Sequence, residues 1–177
     1  ASGSGGFSGT VKWAFETRGL VLGSPALDEE GRIFIGTMEG AVYCLQQTDG
    51  SLSWRFDAEG GVYSSPALDG AGRLYIGSVD GYLYALDSST GVLVWKFRTN
   101  AAIYSSPAIA GGGEGLVYVG STDWRMYAVR VHDGLLAWNQ TLRSPPPPVN
   151  TTSAPGPTAA AASAATATTT ATATATA

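Results

Sequence analysis

From about residue 23 to about residue 140 the apolar side chains come in short runs, broken by Gly, Asp, Ser and Pro. The clearest stretch lies in the middle. Tyr63-Ser-Ser-Pro-Ala-Leu68 is a short run closed by the turn Asp69-Gly-Ala-Gly72. Arg73-Leu-Tyr-Ile-Gly-Ser78 is rich in β-branched and aromatic residues, and Asp80-Gly81 behind it is a two-residue hairpin signal. Tyr82-Leu-Tyr-Ala-Leu86 follows, then the turn Ser88-Ser-Thr-Gly91, then Val92-Leu-Val-Trp-Lys-Phe97. Strands of about 5–6 residues separated by such turns predict an all-β unit of four strands. Pro66 in the first strand suits a position whose N–H no ladder needs. No segment ahead of the last 34 residues shows helical spacing with a cap and a stop.

The unit repeats. Trp13, Trp54, Trp95 and Trp138 are spaced 41, 41 and 43 residues apart, and Gly9, Gly50, Gly91 and Gly134 keep the same intervals. Ser24-Pro25, Ser65-Pro66 and Ser106-Pro107 recur at 41, and Gly36, Gly77 and Gly120 at 41 and 43. The two extra residues fall in the loop from Ala110 to Gly115. Four strands per 40–45 residues is the blade of a β-propeller, whose faces are buried by stacking on the next blade. Three full blades are expected, at about 23–57, 64–98 and 105–140. The segment from Gly9 to Phe15 has the character of a fourth strand from an earlier blade. The predicted fold is therefore all-β: a partial β-propeller, an open arc of three four-stranded antiparallel blades plus one extra N-terminal strand. Closed propellers use about four to eight blades. The expectation is the C-terminal portion of a larger propeller, with upstream blades packing on residues 9–57.

Charge and composition sharpen the boundaries. The chain has 177 residues, 10 Lys+Arg against 14 Asp+Glu and a net charge of −4, with every charged residue between Lys12 and Arg143. This divides it into a flexible lead-in at 1–8, the repeats at 9–143 and a disordered tail at 144–177. A mild acidic excess argues against a nucleic-acid partner. No run of about 18 apolar residues exists, so no membrane span is expected. The lead-in has no charged or apolar signal-peptide regions. A single cysteine, Cys44, excludes an intrachain disulfide, and a single histidine, His132, argues against a His-based triad or metal site.

The residues Ala85-Leu-Asp87-Ser-Ser-Thr90-Gly91, with Trp95 four positions on, resemble the tryptophan-docking motif of quinoprotein (PQQ)-type propellers. The resemblance covers roughly residues 9–143. It implies that the tryptophan packs flat between blades over a glycine-bearing turn. Carried along the repeat, the docking set is Trp13, Trp54, Trp95, Trp138, Gly50, Gly91 and Gly134, with Ala85, Asp87 and Thr90 in the second unit. The other units depart from the motif. Cys44, Gln46 and Asp49 stand in the first, and Arg130 and Asp133 in the third, so the turn bonds expected of Asp87 and Thr90 should be altered there. Enzymes of the family hold pyrroloquinoline quinone over a full ring with Ca²⁺, a vicinal disulfide and an Asp base. One cysteine and no cluster of Glu, Asn and Asp leave no cofactor, metal ligand or catalytic residue to assign in this chain.

Recognition is expected on loops carried by the rigid blades. Glu39, Asp80 and Asp123 recur at the hairpin turns and either form an acidic arc or serve as plain turn chemistry. Trp124 stands where the sister units have Gly40 and Gly81, and is a candidate contact residue. Tyr63 and Tyr104 end two of the variable inter-blade loops. Cys44 reads as a packed thiol and His132 as an exposed turn residue. The tail segment from Ser144 to Pro148 resembles the glycomodule of extensins, and Asn139 and Asn150 head glycosylation sequons. These favour an extracellular or cell-surface setting over an ordinary linker. The function expected is a non-catalytic binding or scaffold module, its protein or other ligand unknown. The alternative is a fragment of an enzyme, either a PQQ-dependent dehydrogenase or the repeat module appended to an adenylating enzyme.

Overall fold

Short strands joined by tight turns pair with the strand just before them. The computed structural model describes residues 9–111 and 115–142, and within them the chain makes this meander three times. The first blade is β1 (Ala26–Leu27), β2 (Arg32–Gly36), β3 (Ala41–Gln46) and β4 (Leu52–Asp57). The second is β5 (Ala67–Leu68), β6 (Arg73–Gly77), β7 (Tyr82–Asp87) and β8 (Leu93–Arg98). The third is β9 (Ala108–Ala110), β10 (Leu116–Ser121), β11 (Arg125–Arg130) and β12 (Leu136–Thr141). Each is a four-stranded antiparallel sheet in sequential order, and together they form an open partial propeller. No helix among the described residues is long and apolar enough to cross a membrane. The lead-in at 1–8, Arg143 and the tail at 144–177 with its sequon at Asn150 lie outside the described residues.

Alternation along the strands builds the core. In β6 and β7, Leu74, Ile76, Tyr84 and Leu86 join Phe34, Val42, Cys44 and Trp54 of the first blade in one cluster. Their neighbours Tyr75, Leu83 and Ala85 join Ile103, Val117, Val119, Tyr127 and Val129 in a second. Both faces of these strands are buried, which is why they read as near-continuous apolar runs. A third cluster sets Ala41, Tyr43 and Leu45 against Trp13 and Phe15. Every buried side-chain polar atom among the described residues has a hydrogen-bond partner. The third strand of each blade shifts register against the fourth at the same point, after Cys44, Ala85 and Ala128. Such bulges bend the strand, here just ahead of the glycine-bearing turn.

Two expectations are corrected. The segment 9–15 forms no strand ladder, because the described residues hold no sheet beside it to pair with. It is held through side chains instead: Phe15 meets Tyr43 edge to face at 5.5 Å. The first strand of each blade is also shorter than its apolar run. The Ser65 amide, which a ladder would use, donates instead to Ser106 Oγ at 2.9 Å, and the Ser24 amide to Ser65 Oγ at 2.8 Å. Pro25, Pro66 and Pro107 follow with no N–H to offer.

Candidate functional site

Two surfaces hold the candidate residues: the joints between blades and the face formed by hairpins and inter-blade loops. At the joints a large ring fills the wedge between twisted sheets. Trp54 Nε1 donates to the Ser88 carbonyl at 2.9 Å, and a Cβ on Gly91 would come within 2.6 Å of its ring. Trp95 Nε1 donates to the Val131 carbonyl at 3.0 Å, and a Cβ on Gly134 would meet that ring at 2.7 Å. Trp13 Nε1 donates to the Gln47 carbonyl at 2.9 Å over Gly50. In each case the accepting carbonyl lies three residues before the glycine, and Gly50, Gly91 and Gly134 have φ of 74°, 73° and 72°. A side chain at these three positions would be both strained and in the way. Ala85, wholly buried, pairs across the strands with Trp95, as Cys44 does with Trp54 and Ala128 with Trp138. Trp138 itself is 43% exposed, against 8% for Trp54.

The turn beneath each tryptophan is built differently in each blade. Asp87 Oδ1 accepts from the Ser89 amide, the Thr90 amide and the Thr90 hydroxyl at 2.8–3.0 Å. These bonds, the Thr90 hydroxyl first, hold the Asp87 carboxyl below its ordinary range. In the first blade Asp49 accepts from the Ser51 amide. In the third Asp133 accepts from the Leu135 amide and pairs with Arg130. His132, 61% exposed, lies 3.5 Å from the same carboxylate.

Sequence reasoning missed the arginines that reinforce the joints. Arg32 reaches from the first blade to the Ser88 and Ser89 hydroxyls of the second, while its Nε pairs with Asp28 at 2.6 Å. Arg73, 41 residues on, donates to the Val131 carbonyl that also takes the Trp95 indole. The pairs Gly31-Arg32 and Gly72-Arg73 were the available signal. Burial pushes the Asp28 carboxyl up, but the Arg32 amide and guanidinium outweigh it and leave it below the usual carboxylate range. A depressed folded value gives stability that is present above the unfolded pKa, about 4, and fades as pH falls through the folded one. The Asp28→Asn variant should be about 1–2 kcal/mol less stable at pH 7. Urea titrations at stepped pH should show that gap shrinking below about pH 4.

On the hairpin face each turn is tied to the inter-blade loops. Met38, Val79 and Thr122 donate backbone amides to Leu20, Gly61 and Ala102, and Ala58 and Thr99 donate to Gly40 and Gly81. The carboxylates are engaged within this belt. Asp80 accepts from the Tyr82 amide at 2.8 Å and from the Tyr84 hydroxyl at 2.7 Å. Asp123 accepts from the Arg125 amide, the Asn100 amide and the Tyr127 hydroxyl. Burial, then the hydrogen bond to Asp80, push the Tyr84 hydroxyl far above its ordinary range, and burial and the hydrogen bond to Asp123 raise Tyr127. Asp80 and Asp123 each accept from a backbone amide of their own turn. Glu39 stays exposed beside Gly19.

Two aromatic side chains on this face are also exposed. Trp124 is 60% exposed with φ of 68°, where Gly40 and Gly81 have 92° and 88°. A bulky residue in that conformation costs about 1–2 kcal/mol. Tyr63 and Tyr104 come from neighbouring loops and stack edge to face at 5.2 Å, with Tyr104 53% exposed. Cys44 is wholly buried, and burial raises its thiol pKa. Among the described residues no group of three or more His, Cys, Asp and Glu side chains gathers as a cation site.

The family profile described as Outer membrane protein assembly factor BamB matches residues 6–145 and 65–176. No curated protein sequence matches significantly. Among solved structures, BamB from Moraxella catarrhalis superposes with a TM-score of 0.65 at 20% identity, over 76% of this chain and 41% of that one. Quinohemoprotein alcohol dehydrogenase ADHIIG from Pseudomonas putida HK5 gives 0.62 at 23% identity, over 73% of this chain and 22% of that one. The computationally designed protein Ika4 gives 0.64 at 16% identity, over 75% and 80%. The chain thus spans less than half the length of the two natural proteins it superposes on.

Proposed function

Because the chain belongs to the family of the outer membrane protein assembly factor BamB, built from PQQ-type β-propeller repeats, we propose that it is a non-catalytic binding and scaffold module, its three blades part of a larger propeller. The observation that carries this reading is the state of the hairpin face. Its Asp80 and Asp123 carboxylates and its Tyr84 and Tyr127 hydroxyls are spent on holding turns. Beside the exposed Glu39, its outward groups include Trp124 and Tyr104, and Trp and Tyr are residue types enriched at protein–protein contacts. A rigid belt with exposed aromatic side chains recognises a partner by shape and apolar burial, in keeping with a relative whose name is that of an assembly factor.

The likeness to a quinohemoprotein dehydrogenase favours a second reading, in which the blades belong to a quinone enzyme. The residues present do not suit that cofactor. The lone Cys44 is buried in an inter-blade cluster and forms no vicinal disulfide, and the described residues gather no set of oxygen ligands for Ca²⁺. Pyrroloquinoline quinone titrated with Ca²⁺ into the purified chain, followed by tryptophan fluorescence and by absorbance, should give no saturable change. A bound, reducible quinone would overturn the non-catalytic reading.

A further inference from the structure

We propose that the cleft between the first and second blades is a binding site for a partner protein, taking a lysine or arginine side chain flanked by apolar residues. The cleft has a volume of about 480 Å³ and opens between the β1–β2 turn of the first blade and the β5–β6 and β7–β8 turns of the second. β2 runs from this cleft to the hairpin at 37–40, so the site lies at the opposite end of the blades from the hairpin face. Both walls are blades of this chain, and the joint behind them is closed by Trp54 on Gly91.

Three carboxylates, Asp28, Glu29 and Glu30, line the cleft against one guanidinium, Arg32. That guanidinium is spent inside the protein. Its Nε donates to Asp28, and its Nη atoms donate to Ser88, Ser89 and Glu30. An anion therefore finds no unused donor on it, and the excess charge at the opening is negative. Ser89 accepts from Arg32 and keeps its own hydroxyl proton to donate, which suits a peptide carbonyl. Leu27, 54% exposed, and Leu68 line the same cleft. At Gly70 the wall is open, since a Cβ there would meet nothing within 4 Å. A long basic side chain fits this mixture, burying its stem on hydrocarbon while its head meets carboxylate. A cleft with so exposed a wall covers one side of a chain segment, whereas a small-molecule site encloses most of its ligand.

The second joint shows that the turns do not need these groups. Gly70 and Ala71 stand 41 residues after Glu29 and Glu30, and Val131 and His132 stand 43 after Ser88 and Ser89. The turn there is held by Asp69, which accepts from the Arg73 amide as Asp28 does from the Arg32 amide. Glu29 and Glu30 are additions at exposed positions. Neighbouring like charges repel, and a cation between them relieves that repulsion.

The test is selection of a phage-displayed library of random heptapeptides on the purified 177-residue chain. The library is first cleared on the Glu29→Lys, Glu30→Lys double variant, which removes binders at other faces. The enriched sequences should carry Lys or Arg beside Leu, Ile, Val or Phe. An enriched peptide is then synthesised and its affinity read by fluorescence polarisation. Glu29→Gln with Glu30→Gln should weaken it about five- to tenfold, with unchanged circular dichroism because both residues are exposed. Leu27→Ser should weaken it as well, and added salt should weaken the unaltered chain more than the Gln variant. No enriched sequence, an affinity indifferent to the Gln changes, or n-butylamine competing as well as the peptide would overturn the proposal. The quinone titration reads a different property, so the two proposals fail separately.

Discussion

Replacing Trp54 with Ala should lower the unfolding free energy by about 3–5 kcal/mol, read from urea denaturation at neutral pH. Three losses add at this position. The ring is 8% exposed and sits in the cluster shared by the first two blades, so its removal opens a cavity at the joint. Its Nε1 donor to Ser88 disappears. The tilted contact with Phe34 at 5.9 Å goes with it. For a protein whose total stability is on the order of 5–15 kcal/mol, this single change removes much of the margin. Trp138→Ala is the internal control. That residue occupies the same repeat position but is 43% exposed, so the monomer should lose less than half as much. Equal losses at the two sites would mean that the joint is not where the energy of Trp54 resides.

Gly91→Ala should be the second most damaging change, at about 2–5 kcal/mol. Backbone strain contributes about 1–2 kcal/mol, because Gly91 has φ of 73°. Overpacking contributes about 1–3 kcal/mol more, because the new Cβ would lie 2.6 Å from the Trp54 ring. The contributions can be separated. Gly70 has a similar φ of 71°, and a Cβ added there would meet nothing within 4 Å, so Gly70→Ala should cost the strain alone. In a Trp54→Ala background the Gly91→Ala penalty should fall towards the Gly70 value. Near-additivity of Trp54→Ala and Gly91→Ala would refute direct contact as the cause.

The blade count and the strand identities were legible because they rest on local rules. Alternation, Asp-Gly turns and a 41-residue period are each written in contiguous residues. The seat of each tryptophan was legible only through resemblance, since Trp54 and Gly91 are 37 residues apart and belong to different sheets. Arg32, Arg73 and the serine ladder were not read at all. Their partners Ser88, Val131, Ser65 and Ser106 lie on neighbouring blades, and no local pattern says which polar groups meet there. The segment 9–15 misled for the opposite reason. Its residues have strand character, but a strand exists only with a ladder partner. The acidic positions show the limit of composition: the number of carboxylates on a face says nothing of how many are already bound by their own turn.

The alternate allegiance of β6 and β7 bears on which length changes the repeat can absorb. Leu74 and Ile76 serve one cluster and Tyr75 the other, so a single residue inserted in β6 would exchange both sets at once. An insertion there would breach two joints rather than one. The two additional residues of the third unit fall instead between Ala110 and Gly115, beyond the last residue of β9 and ahead of the first of β10. The repeat can thus grow or shrink in its turns while the reading frame of the middle blade, two residues per step, stays locked to both neighbours.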